Sequence, residues 1–151
     1  MSIARFSDGL CTEMELILNR YWWGTTDVKR KVHWLSWKRL SVPKKDGGLG
    51  FRSFKEFNSA LLAKQGWRLL TRPDSLAARV LKAKYFPSCS FLEAEIKPHS
   101  RPSFTWQSIM LAQSLVRKGC RCVVGDGTSI RVWEDDRLPG INSHIVSSKP
   151  P

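Results

Sequence analysis

The stretch SFKEFNSALLAKQGWRLLTRP, residues 53–73, decides the fold class. Ser53 followed three residues later by Glu56 reads as a capping box, in which side chains satisfy the amide donors exposed at a helix start. From Phe54 to about Leu70 the apolar positions Phe54, Phe57, Leu61, Leu62 and Leu69 keep helical period, and Lys64 and Arg68 fall an i, i+4 step apart. Pro73 stops the run, because its ring cannot continue a helix. Working outward, Ser75 to about Phe86 reads as another helix, with Leu76, Val80 and Leu81 on its apolar side and Pro87 as its end. Residues 88–102 form an irregular, movable connection, broken by Pro98 and Pro102, with a short helical turn at Phe91–Ile96. Ser103 caps a helix running to Lys118, its apolar side formed by Phe104, Ile109, Leu111 or Ala112, and Leu115/Val116, before the breaker Gly119. On the N-terminal side, Leu10, Met14, Leu18 and Tyr21/Trp22 mark an amphipathic helix closed by Gly24.

These signals predict a mainly α fold of about four amphipathic helices. A small C-terminal β-hairpin is expected at about residues 120–134, since Val123, Val124, Ile130 and Val132 flank Gly125-Asp126-Gly127, residues that tolerate the positive φ of a tight turn. The expected division is a helical region over 1–119, the hairpin module over 120–139 and a disordered polar tail over 140–151. With 151 residues, 42% hydrophobic, seven Trp and seven Phe, the chain has the material for a packed core.

Charge is the second informative feature. The 25 Lys and Arg against 13 Asp and Glu leave a net charge of +12. Residues 29–55, KRKVHWLSWKRLSVPKKDGGLGFRSFK, hold nine of those cations and one acid, Asp46, or 9 − 1 = +8, leaving 16 − 12 = +4 elsewhere. Charge localised in this way points to partners, not to fold. Lys29, Arg30, Lys31, Lys38, Arg39, Lys44, Lys45 and Arg52 are the candidate contacts to an RNA or DNA backbone, of a weak and salt-sensitive kind. Trp34 and Trp37, close enough to share a helical face, could stack on unpaired bases. Tryptophans at helical spacing are more often core residues, and both readings hold together if the rings lie beneath the cations. Pro43 ends any such helix, and Asp46-Gly47-Gly48 with Gly50 reads as a turn.

Other chemistry is sparse. The GGLG of residues 47–50 lacks the Lys-Ser/Thr and the preceding apolar strand of a phosphate loop, and no GxSxG, HExxH or Cys/His nucleophile arrangement occurs. Cys11, Cys89, Cys120 and Cys122 form no CxxC pair, and His33, His99 and His144 are scattered, so no zinc site is expected. Asp135-Asp136 beside Arg137 reads as a solvated strand end in preference to a Mg²⁺ site. No cofactor, small-molecule substrate or membrane partner is expected. The N-terminus has one cation, Arg5, among Asp8, Glu13 and Glu15, which is unlike a signal or transit peptide, so an intracellular product with no encoded import or export is expected.

Five blocks in order, WWG (22–24), KRKVHW through WRLL (29–70), LKAKYFP (81–87), SFTWQSI (103–109) and GDGTSIRVWEDDRLP (125–139), resemble the reverse-transcriptase polyprotein of plant LINE-type (non-LTR) retrotransposons. The resemblance covers about Met1 to Pro139. It implies the thumb-like and connecting region that follows the polymerase palm and precedes a zinc-binding segment and often a ribonuclease H domain. Similar short reading frames occur in plant nuclear and mitochondrial genomes. The family's Tyr/Phe-x-Asp-Asp carboxylates have no counterpart here, so no catalytic residue carries over, and a truncated fragment of an RNA-directed DNA polymerase without enzymatic activity is expected. The alternatives are a stand-alone basic RNA/DNA-binding protein and an inert relic. The resemblance gives Trp22, Trp23, His33, Trp34, Trp37, Pro43, Gly47, Gly48, Gly50, Trp106, Gly125, Asp126, Gly127 and Trp133 structural roles, and faces the cations toward nucleic acid.

Overall fold

Four serines begin four of the helices in the same way. In the computed structural model, which describes residues 3–24, 29, 31–96 and 101–120, helix α1 spans Asp8–Trp22, α2 Trp37–Leu40, α3 Phe54–Thr71, α4 Leu76–Tyr85, α5 Phe104–Leu111 and α6 Gln113–Gly119, with a 3-10 turn at Lys44–Asp46. Ser7, Ser36, Ser75 and Ser103 stand at the N-caps of α1, α2, α4 and α5. Each hydroxyl oxygen accepts the N–H three residues on, from Leu10, Arg39, Ala78 and Trp106 respectively. Such a cap satisfies a donor that the helix leaves open and stabilises it by about 1 kcal/mol. Among the described residues the secondary structure is entirely helical.

Helix α3 departs from the capping box. Ser53 occupies its N-cap with no side-chain bond. The exposed amide of Phe54 instead donates to Oε1 of Glu15 on α1, at 3.2 Å. A carboxylate from a neighbouring helix thus caps the first amide of α3, in place of the reciprocal Ser53–Glu56 bonds expected there, and it ties α1 to α3.

Helix α3 is the central element, packing on α1, α4 and α5. Its expected apolar positions are all buried or half-buried, but its most buried stripe runs Asn58, Leu62, Gly66, at i, i+4, i+8. Gly66 is there for space. A Cβ at that position would lie 2.7 Å from Cε1 and 2.8 Å from Cζ of Phe91, so the glycine seats the ring and the roughly 1 kcal/mol cost of glycine in a helix is accepted. Asn58, 2% exposed, is satisfied by the N-terminal segment. Its Oδ1 accepts from the Phe6 amide and its Nδ2 donates to the Ala4 carbonyl, both at 3.0 Å. The Arg5 amide donates to Ser108 Oγ on α5 at 3.0 Å, so residues 4–6 are strapped across two helices.

The aromatic centre of the core is Trp106, 1% exposed. Tyr85 stacks on it at 4.8 Å and Phe86 at 5.3 Å, while Phe91 meets it edge-on at 6.1 Å. Offset and edge contacts of this kind add to the hydrophobic gain of burying the rings. The Tyr85 hydroxyl accepts from the Ser103 amide at 3.2 Å and lies 3.1 Å from Ser103 Oγ, whose O–H can donate to the oxygen once it is ionised. Ser103 holds the phenol below its ordinary pKa, first through its side chain and then through its amide.

Several expectations need correction. On α4, Leu76 and Val80 face solvent, Leu76 being 76% exposed. The side turned inward carries Ala78, Leu81 and Tyr85. On α1, Leu10 and Tyr21 are exposed and the buried positions are Cys11 and Asn19. The expected single helix from Ser103 to Lys118 is two, broken at Ala112, whose own N–H turns back to the Ile109 carbonyl. Of its expected apolar side, Ile109, Ala112 and Val116 are buried, joined by Trp106, while Phe104, Leu111 and Leu115 are exposed. In the connection after Pro87, Phe91 and Ala94 are core residues, and Gln113 Nε2 donates to both of their carbonyls, at 2.7 and 2.9 Å.

Residues Met1–Val116 form one compact unit. Of the second, Arg117–Pro151, the described residues are 117–120, the end of α6 and the residue after it. The expected hairpin with Gly125, Asp126, Gly127 and Trp133, the module over 120–139 and the tail over 140–151 lie outside the described residues, apart from Cys120.

Candidate nucleic-acid interface

The basic stretch folds into a closed loop whose geometry follows from its glycines. Helix α2 lasts one turn and ends before Pro43. The Pro43 carbonyl then accepts from the amides of Asp46 and Gly48, at 2.9 and 3.2 Å. Gly47 sits at φ 83° and Gly50 at φ 71°, in the left-handed region that L side chains rarely occupy. Gly48 has a different reason to lack a Cβ, because one would overlap the Val42 carbonyl. The chain then returns beside α2. The Leu40 carbonyl accepts from both Leu49 and Phe51, at 3.0 and 3.2 Å, and the Val42 carbonyl from Gly50 at 2.9 Å.

This closure puts an aromatic floor under a cationic rim. Phe51 stacks on Trp37 at 5.0 Å and takes the edge of Trp22 at 4.9 Å, and Trp37 Nε1 donates to the Arg52 carbonyl at 3.4 Å. Leu40 is buried below. Lys38, Arg39, Lys44, Lys45 and Arg52 are all exposed on the same loop. With Asp46 they amount to 5 − 1 = +4. None of these five makes an ion pair among the described residues, and Arg52 lies 4.9 Å above the Phe57 ring. Charges left unneutralised in water are available to an anionic partner.

The other cations of the stretch sit elsewhere. Lys31 folds back on the end of α1, where a Cβ on Gly24 would come 2.9 Å from its Nζ. Lys29 is exposed, and Arg30 lies outside the described residues. Lys55 forms an ion pair with Asp8 at 3.1 Å. The four tryptophans also part company. Trp23 stacks on His33 at 6.4 Å and its Nε1 donates to Asn19 Oδ1 at 2.9 Å. Trp22 and Trp37 share Phe51. Trp34 does not share a helical face with Trp37, because α2 begins only at Trp37, and it is 77% exposed.

Beside the loop a cleft of about 620 Å³ runs between α1, α2 and the start of α3, lined by Asp8, Glu15, Glu56, Lys38 and Lys55 among others. Two of its carboxylates are engaged structurally: Glu15 by the Phe54 amide and Asp8 by Lys55. Among the described residues no three His, Cys, Asp or Glu side chains come together as a metal site. No described helix is long and apolar enough to cross a membrane.

Sequence reasoning missed the parts supplied from a distance. Phe51, the ring on which the floor is built, carried no signal beyond being aromatic. Asn58, Gly66 and Phe91 carried none that spacing reveals.

No protein-family model matches the chain, and no solved structure is similar to it. It is 40% identical over 136 residues to the Arabidopsis thaliana uncharacterized mitochondrial protein AtMg00310, covering 89% of this chain and 87% of that one. It is also 35% identical over 141 residues to At1g65750 of the same plant, provisionally named a ribonuclease H protein, but this match spans 93% of the chain and only 23% of that longer protein. At such identity over nearly its whole length, the chain belongs to the family of the Arabidopsis mitochondrial protein AtMg00310.

Proposed function

We propose that this chain is a retrotransposon-derived module that corresponds to the thumb-like and connecting region of a plant LINE-type reverse transcriptase, and that it holds the backbone of RNA or DNA without catalysing polymerisation. The observation that carries the binding role is the glycine-closed loop with Lys38, Arg39, Lys44, Lys45 and Arg52 exposed and unpaired among the described residues. The derivation is supported by the same block of sequence forming most of one relative and about a quarter of another that is named a ribonuclease H protein. The 151 residues contain no Tyr/Phe-x-Asp-Asp carboxylates. The interaction is with phosphates, so it is indifferent to sequence and sensitive to salt.

Fluorescence anisotropy with labelled oligonucleotides tests this. Five phosphate contacts weaken binding on the order of 100- to 500-fold between about 50 and 200 mM salt, and replacing the five cations with Gln flattens that dependence. An unchanged slope in the variant would remove the loop from the interface. Mg²⁺-dependent primer extension by the purified chain would refute the non-catalytic assignment. The net charge of +12 favours a second reading, in which the module works as a stand-alone RNA/DNA-binding protein. Nanomolar binding that survives about 200 mM salt would support it over the weak backbone contact.

A further inference from the structure

Trp34 is the tryptophan of the basic stretch that the fold does not use. Trp22 and Trp37 close on Phe51, and Trp23 is held by His33 and Asn19. Trp34 has no ring partner or hydrogen bond among the described residues and is 77% exposed. A large aromatic surface left in water, a few residues from the exposed cations Lys38 and Arg39, is a feature of recognition surfaces. Its surroundings are anchored. The Trp23–His33 stack and the approach of the Lys31 ammonium to Gly24 hold residues 31–33 against the end of α1. At that end Tyr21 is 83% exposed and Trp22 half-exposed. The exposed indole therefore stands next in sequence to an anchored segment, with Lys29, Lys31, Lys38 and Arg39 within a few residues.

We propose that Trp34 is a base-stacking platform and that the ligand of this surface is single-stranded nucleic acid. The inference rests on the backbone-binding reading above and adds to it the strandedness of the partner. Within a duplex each base has both faces covered by its neighbours, so an indole on the protein surface has nothing to stack against. An unpaired base offers a free face, and every base has one, so stacking confers strand selectivity without sequence selectivity. The cations hold the phosphates while the indole takes the base.

The test uses the full chain and three labelled probes of equal phosphate number: a thymidine oligonucleotide, the same backbone with abasic sites, and a duplex. Wild type binds the thymidine strand on the order of tenfold more tightly than the abasic strand, the effect of roughly one stacked base. Trp34→Ala removes that preference and leaves affinity for the abasic strand unchanged, and Trp34→Phe, which keeps a ring, retains most of it. Equal binding of thymidine and abasic strands by wild type, or a preference that survives Trp34→Ala, overturns the platform and leaves backbone binding standing; the exposed indole would then serve a protein partner. Preference for the duplex overturns it as well. Binding of none of the three probes overturns this inference and the backbone reading together.

Discussion

Trp106 and Trp34 are the same residue type in one chain, yet one is the centre of the core and the other stands in water. Around Trp106, three rings from two separate segments converge, and a glycine on α3 makes room for one of them. Around Trp34 nothing closes, because the segment is held by its neighbours His33 and Lys31 and the indole itself is left out. The same side chain thus packs the core in one place and is left exposed in the other. Burial and exposure of this kind are properties of position, and no spacing rule separates them.

The widest separation is expected from truncation. Trp106→Ala removes the ring on which Tyr85, Phe86 and Phe91 pack and should cost about 3–5 kcal/mol, whereas Trp34→Ala should stay within about 0.5 kcal/mol. Urea denaturation of both variants reads the difference, and equal losses would break the contrast. A wild-type melt without cooperativity would point instead to an inert relic whose core is incomplete.

The glycines sharpen it next. Gly66→Ala pushes a methyl group into the Phe91 ring and should destabilise by about 1–3 kcal/mol, since a packed core yields little. Gly48→Ala meets the Val42 carbonyl, so the loop must shift and its affinity for nucleic acid should fall more than global stability does. Paired melts and anisotropy titrations separate the two outcomes, and a Gly48→Ala variant with full affinity would show that loop closure does not position the cations.

The smallest effect is electrostatic. Ser103 lowers the Tyr85 pKa in the folded state, so the phenolate is favoured by folding. Its contribution is absent at neutral pH, appears as pH rises through the lowered folded value and is complete above the unfolded value near about 10. Ser103→Ala should move the phenolate absorbance step of Tyr85, identified by its loss in Tyr85→Phe, to higher pH. A step that stays in place would mean that Ser103 does not stabilise the anion.

Much of the helical architecture was legible because its punctuation is local. Serine caps, prolines and Gly24 act on the backbone within a turn of themselves, and the helices at residues 8–22, 54–71 and 76–85 appear where those residues put them. The site was legible in part. Its cations and its turn glycines could be read from composition and conformational preference, but the aromatic floor requires Phe51 to return beside α2, which is a tertiary event.

What lay beyond local reading was which face of each element is covered. Helix α4 has an apolar side by spacing, yet Leu76 and Val80 look outward, because the neighbours α3 and Trp106 meet the Ala78–Tyr85 side. The start of α3 shows the same thing: the Phe54 donor is local, but its acceptor, Glu15, comes from another helix. Backbone preference is set by a residue and its few neighbours in sequence, and so the approximate limits of α1, α3 and α4, the glycine turn and the concentration of charge were written in the chain. Burial depends on segments that meet only after folding, and the tertiary structure alone decided that Trp106 would be core and Trp34 surface.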